Sequence, residues 1–183
     1  MIQSKSDLIR YLEADAQALG RGHRYGFLDW LLDPIWTYQR LMRKLAYLSN
    51  VKCAHGGGLF WNFIRRVTWI RYQRLGQRLG FSIEENSFEE GLAIWHWGTI
   101  VVNGAARIGR NAQLSVGVNI GKDLNDQCPK IGDNLWTGPG AKLFGGIVLG
   151  DNVKVGANAV VNKSFPEGNC TLVGIPAHKV EKR

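Results

Sequence analysis

Between Val102 and Val161 an apolar residue returns at every sixth position, a period that no amphipathic helix keeps. The series runs Val102, Ile108, Leu114, Ile120, then Ile131, Thr137, Leu143, Leu149, Val155 and Val161, with Thr137 its one polar member. Glycine follows six of them, at Gly109, Gly121, Gly132, Gly138, Gly150 and Gly156. A small or aliphatic residue recurs four places after most openers, as at Ala106, Ala112, Val118, Ala141 and Ala159. Hexapeptide periodicity predicts a parallel β-helix: each unit is a short strand plus a turn, and three units close a coil. The openers then stack inward as a continuous core. One step breaks the phase. Ile120 to Ile131 takes eleven residues, and the surplus must leave the stack as a loop.

Upstream the pattern changes to helical spacing. Ser6 is placed to cap a first helix through Leu8, Ile9, Leu12, Ala16 and Leu19, which Gly20 ends. Asp33-Pro34 reads as a cap followed by proline at the first helical position. The next helix carries Ile35, Tyr38, Leu41, Met42, Leu45 and Leu48 on one face. A third, Leu59 to Leu79, carries Phe60, Phe63, Ile64, Val67, Ile70 and Leu75. The expected organisation is a helical region over 1–83, a β-helix over 84–162 with an inserted loop at 121–130, and a tail over 163–183.

Composition narrows the class. No run of about 18 apolar residues suggests a membrane span, and the acidic N-terminal stretch does not read as a signal peptide. Cys53, Cys128 and Cys170 are far apart, as free thiols in a reducing compartment would be, so a cytoplasmic protein is expected. The net charge of +8 is concentrated: residues 34–83 contain nine Lys and Arg and neither Asp nor Glu. Arginines there alternate with Trp36, Tyr38, Trp61, Phe63, Trp69 and Tyr72. A basic, aromatic face over the helices 34–80 suits peripheral contact with the inner face of an anionic membrane. The commoner alternative is that the aromatics pack on the β-helix or on neighbouring protomers. No motif supports nucleic-acid binding.

Four histidines are the candidates for proton transfer. His96 lies in Ile94-Trp95-His96-Trp97-Gly98, where flanking indoles would build an apolar wall and favour the neutral imidazole a general base requires. On context alone a core histidine bonded to a carbonyl is an equal reading. His23 and His55 fall in connections and His178 beside Lys179, where solvated roles are commoner. In the inserted loop, Asp126 and Cys128 are the reactive members, each weighed against a polar excursion with an incidental thiol. No metal is expected, because zinc catalysis needs about three imidazole-type ligands and His96 is the only histidine in the repeat.

The chain from about Phe81 onward resembles the hexapeptide-repeat acyltransferases, within them the serine acetyltransferase branch. The matching stretches are His96-Trp97-Gly98-Thr99-Ile100-Val101-Val102, Pro129-Lys130-Ile131-Gly132, Gly138-Pro139-Gly140-Ala141-Lys142, Val155-Gly156-Ala157-Asn158-Ala159-Val160-Val161 and Val173-Gly174-Ile175-Pro176-Ala177. The resemblance implies a left-handed coil, a homotrimer or a hexamer, and acetyl-CoA as co-substrate in a cleft between neighbouring β-helices. It implies that His96 is the catalytic base, that coil N–H groups stabilise the oxyanion, and that Gly138, Ala157 and Asn162 line the pantetheine channel. Lys179, with Lys182 and Arg183, would meet a nucleotide phosphate, although a frayed basic terminus is an equal alternative.

Three departures bear on the acceptor and the oxyanion. Trp95 replaces the aspartate that precedes the histidine in serine acetyltransferases. Gln127 and Cys128 replace the arginine and second histidine of their Asp-Arg-His-Pro-Lys run. Pro139 stands where related enzymes offer a backbone N–H. A charged amino acid would find its groups poorly paired there, whereas Trp95 and Trp97 suit the face of a sugar ring. The chain is similar in these respects to O-acetyltransferases of surface-polysaccharide synthesis, so a saccharide acceptor is expected. The rivals are a serine acetyltransferase, covalent transfer through Cys128, and a membrane-surface scaffold without activity. The group that orients His96 is open among Glu89, Glu90, Asp126 and a backbone carbonyl.

Overall fold

The computed structural model describes residues 1–21, 32–53, 56 and 58–180. Three helices come first: α1 (Lys5–Ala18), α2 (Pro34–Tyr47) and α3 (Gly58–Leu79), with a π-helical turn over Leu48–Cys53. Ser4, not Ser6, caps α1, its hydroxyl accepting from the Asp7 N–H at 3.0 Å. Ser6 lies inside the first turn and meets the Ser4 hydroxyl at 2.8 Å. Asp33 caps α2 as expected, accepting from the Trp36 N–H at 2.9 Å. Among the described residues no helix is long and apolar enough to cross a membrane.

The rest is a left-handed parallel β-helix whose strands stack on three faces. Face I holds β1 (Phe81–Ile83), β3 (Ile100–Val102), β6 (Asn119–Gly121), β9 (Lys142–Phe144) and β12 (Val160–Val161). Face II holds β4 (Arg107–Ile108), β7 (Lys130–Ile131) and β10 (Val148–Leu149), extended by bridges from Phe88 to Ile108 and from Leu149 to Phe165. Face III holds β2 (Ala93–Ile94), β5 (Gln113–Leu114), β8 (Trp136–Thr137), β11 (Lys154–Val155) and β13 (Thr171–Val173), on which β14 (His178–Lys179) turns back antiparallel. Val102 pairs with Ile120, Ile120 with Leu143 and Leu143 with Val161, so the openers stack and are buried. The eleven-residue step costs no register: its loop leaves between β6 and β7, and Ile131 still stacks under Ile108.

The ladder is longer than the periodic stretch. It starts at Phe81, paired with Ile100, three residues before the expected boundary at 84, and residues 84–91, which carry no six-residue repeat, form part of the first coil through the bridge of Phe88. Ile83 lies 19 residues before its partner Val102, and Phe88 lies 20 before Ile108, so the first coil has slipped out of the six-residue phase. Beyond 162 the coil closes through Phe165 and β13 with shortened steps.

The helices are tied to that first coil by side chains that occur once. Arg43 and Asp15 are 1% and 0% exposed and joined by bonds of 2.8 and 3.1 Å. Arg43 also donates to the carbonyls of Phe88 and Glu89, each at 2.7 Å. Asp15 Oδ1 accepts from the N–H groups of Gly91 and Leu92, each at 2.9 Å. Every charge is therefore met by partners, the condition under which a buried ion pair is tolerated. Tyr38 stacks on Tyr72 at 4.5 Å and meets Phe81 edge-on at 5.1 Å. Burial holds both phenols well above their ordinary range.

Helix α3 packs through an unexpected side. Thr68, Tyr72, Gly76 and Leu79 face inward, whereas Phe60, Phe63 and Val67 of the predicted apolar face are exposed. Gly76 explains the choice, because a Cβ there would lie 2.8 Å from the Phe81 carbonyl oxygen. The helix can come that close to β1 only where Gly76 carries no side chain.

Candidate active site

The three faces meet along three edges, and each candidate residue falls on one of them. The first edge, from face III to face I, carries the turns after β2, β5, β8 and β11. His96 is in the turn after β2, Gly138 in that after β8 and Ala157 in that after β11, so one edge carries all three. A Cβ on Gly138 would lie 2.7 Å from the Ala157 nitrogen, so only glycine lets these two coils close. Val173-Gly174-Ile175-Pro176 continues the same edge below, with Ile175 exposed.

His96 itself is exposed, and among the described residues its imidazole makes no hydrogen bond. The indoles do not enclose it within one protomer: Trp95 is 44% and Trp97 69% exposed. The carboxylates considered for its orientation are engaged elsewhere. Glu89 accepts from the Tyr11 hydroxyl, Glu90 pairs with Arg10 of α1, and Asp126 pairs with Lys122. Several coil amides of this edge are also committed: Gly117 donates to Thr99, Gly138 to Val155, Gly140 to Val116 and Asn158 to Pro139. These four N–H groups are therefore already spent within the stack.

The second edge, from face I to face II, carries the inserted loop. Asp123, not singled out from sequence, organises it: its Oδ1 accepts from the N–H groups of Asn125 at 2.9 Å and Gln127 at 3.0 Å. The sequence signal for it is an aspartate two residues before an asparagine in a turn. Cys128 is half-buried, and its thiol approaches Asn103 Oδ1 at 3.4 Å. Burial first, then the nearby Asp123 and Asp126, raise its pKa above that of a free thiol, the wrong direction for a nucleophile. Asn103 lies 25 residues away, and nothing in the sequence marks it. Asn162 follows β12 on this same second edge, apart from Gly138 and Ala157.

Lys179 is on β14, where its ammonium pairs with Glu167 and lies 6.0 Å from the Phe165 ring centroid. Glu167 raises the lysine pKa, chiefly through the hydrogen bond. Both partners of this pair are exposed, as surface ion pairs of small net strength are. His178 is exposed on the same strand. His23, His55, Lys182 and Arg183 lie outside the described residues. Among the described residues no three His, Cys, Asp or Glu side chains gather as metal ligands would.

Residues 128–163 match the family described as bacterial transferase hexapeptide (six repeats). A Staphylococcus xylosus protein named serine acetyltransferase is 40% identical over 94 residues, covering 50% of this chain and 43% of that protein. The chain thus spans less than half the length of the curated relative it matches. The crystal structure of Neisseria gonorrhoeae serine acetyltransferase superposes with a TM-score of 0.73 at 24% identity, over 98% of this chain and 68% of that one. A serine acetyltransferase in complex with CoA gives 0.72 at 25% identity, over 97% and 72%. The shared fold therefore extends through the helices as well as the coils.

Proposed function

We propose that this chain is an acetyl-CoA-dependent O-acetyltransferase with His96 as general base. The observation that carries the reading is the first edge, where His96 shares one line of turns with Gly138 and Ala157. The likeness to a serine acetyltransferase in complex with CoA supports the co-substrate. His96 takes the proton of an acceptor hydroxyl as that oxygen attacks the thioester carbonyl. The C–S bond then breaks, the acetyl group stays on the acceptor oxygen, and the imidazolium returns its proton to the CoA thiolate. A positioned base of this kind contributes roughly 10²–10⁴-fold.

The site is completed between protomers. His96 and the inserted loop belong to different edges of one prism, so a homotrimer that sets one protomer's first edge against its neighbour's second edge joins them. Such an arrangement would bury Trp95 and Trp97 and give His96 the desolvation it lacks alone. With acetyl-CoA as co-substrate, the reading places the protein in the cytoplasm.

L-Serine is the acceptor that the named relatives favour. A saccharide is the second reading, carried by Trp95, Gln127 and Cys128, where an amino acid's charges would find no ionised partner. CoA release measured with L-serine, simple sugars, nucleotide sugars and polysaccharide fragments separates the two. The expected result is turnover lost in His96→Ala. Turnover unchanged by that substitution overturns the assignment of the base, and absence of acetyl-CoA binding overturns the class.

A further inference from the structure

Helix α3 has two apolar sides, and only one is used by the fold. Thr68, Tyr72, Gly76 and Leu79 pack inward. On the opposite side Phe60, Phe63 and Val67, at three-and-four spacing, are 66%, 69% and 40% exposed, and Leu59 is 92% exposed. Exposed Arg66, Arg74 and Arg78 accompany this stripe. We propose that the outward face of α3 docks the protein on an anionic phospholipid bilayer, an interaction independent of acetyl transfer.

Charge selects this occupant over the others. A second copy laid face to face would set arginines against arginines, and residues 34–83 hold no carboxylate to neutralise them. Helix α3 itself is not apolar enough along its length to cross a membrane, so a surface contact is the one considered. An anionic bilayer surface supplies both complements, an acyl boundary for Phe60, Phe63 and Leu59 and phosphates for the arginines. Helix α3 has 22 residues, about 33 Å at 1.5 Å per residue, enough to lie along such a surface. The alternative that these aromatics pack on the β-helix of their own chain does not hold for Phe60 and Phe63, which are 66% and 69% exposed.

Co-sedimentation of the full chain with vesicles of phosphatidylcholine and phosphatidylglycerol (3:1), and of phosphatidylcholine alone, tests the proposal. Wild type is expected to bind the anionic vesicles, to bind the neutral ones far less, and to be released by salt. Phe60→Asp/Phe63→Asp should weaken binding at least about tenfold, and Arg74→Gln/Arg78→Gln roughly fivefold per charge removed. All four positions are exposed, so thermal midpoints should match wild type. Two results overturn the proposal: wild type left in the supernatant with anionic vesicles, or equal binding by wild type and Phe60→Asp/Phe63→Asp. A loss of particle mass in that double variant without vesicles, with no vesicle binding by wild type, would make the face a protein–protein interface instead.

Discussion

The coils and the helices preceding them are held together in opposite ways. In the coils each contact is repeated: Asn111, Asn134, Asn152 and Asn169 pass amide hydrogen bonds of 3.0, 2.8 and 2.9 Å down the edge between faces II and III. All four take positive φ, where asparagine is tolerated better than most side chains. In the helical region each contact is unique: one Arg43–Asp15 pair, one edge-on contact of Tyr38 with Phe81 and one hydrogen bond from the Tyr72 hydroxyl to the Ile83 carbonyl join it to the first coil. Repetition spreads a loss over many neighbours, whereas a single buried network concentrates it. The candidate base follows the same division, for His96 stands exposed on a turn and takes no part in the inward stack.

That contrast can be broken by substitution. Arg43→Ala leaves the Asp15 carboxylate buried without its ion partner and should cost about 3–5 kcal/mol in chemical denaturation. Hydrogen exchange should rise first in α1 and α2. His96→Ala should lower turnover by about 10²–10⁴-fold with an unchanged thermal midpoint. Asn134→Ala keeps a Cβ at positive φ without the polar side chain that makes this conformation tolerable, and it removes two links of a shared ladder, with an expected cost of about 1–2 kcal/mol. Asn134→Gly should cost less, because glycine relieves the strain. A loss for Asn134→Ala equal to that for Arg43→Ala would end the distinction between repeated and unique contacts.

The smallest effect concerns Cys128. With its pKa raised by burial, the thiolate fraction near pH 8 is below that of a free cysteine and grows only as pH rises toward the shifted value. Iodoacetamide should therefore label it more slowly than a free thiol throughout that range, as followed by mass spectrometry. Cys128→Ala should retain most turnover. Its abolition, with an acetylated Cys128 in the wild type, would restore covalent transfer.

Periodicity made the inner residues legible, since Val102 to Val161 announce their own stacking. It lost the first coil, where the steps of 19 and 20 residues at Ile83 and Phe88 carry no six-residue signal. Capping chemistry located α2 through Asp33-Pro34 but chose the wrong serine for α1, because Ser4 and Ser6 are equally good acceptors on paper. The packing side of α3 was hidden for a different reason: apolarity marks both of its sides, and the close approach at Gly76 depends on Phe81. At the site, local context leaves His96 evenly divided between a base and a core histidine, and its exposure is visible only in the fold. The engagement of Glu89, Glu90 and Asp126 by other partners is equally hidden in the sequence, because it depends on α1 and on the folded loop.

The last coil shows how a stack of this kind is brought to a stop. A parallel ladder ends in unpaired carbonyls and amides that can template a further strand from another molecule. Here the chain folds back over that rim: the Ala177 N–H donates to Val160, the Val180 N–H donates to Thr171, and β14 lies antiparallel on β13. At the other rim the Leu79 carbonyl accepts from Gly98 while α3 lies against β1. An architecture that would otherwise favour end-to-end fibres is thus kept finite by reversing strand direction at one rim and covering the other with a helix.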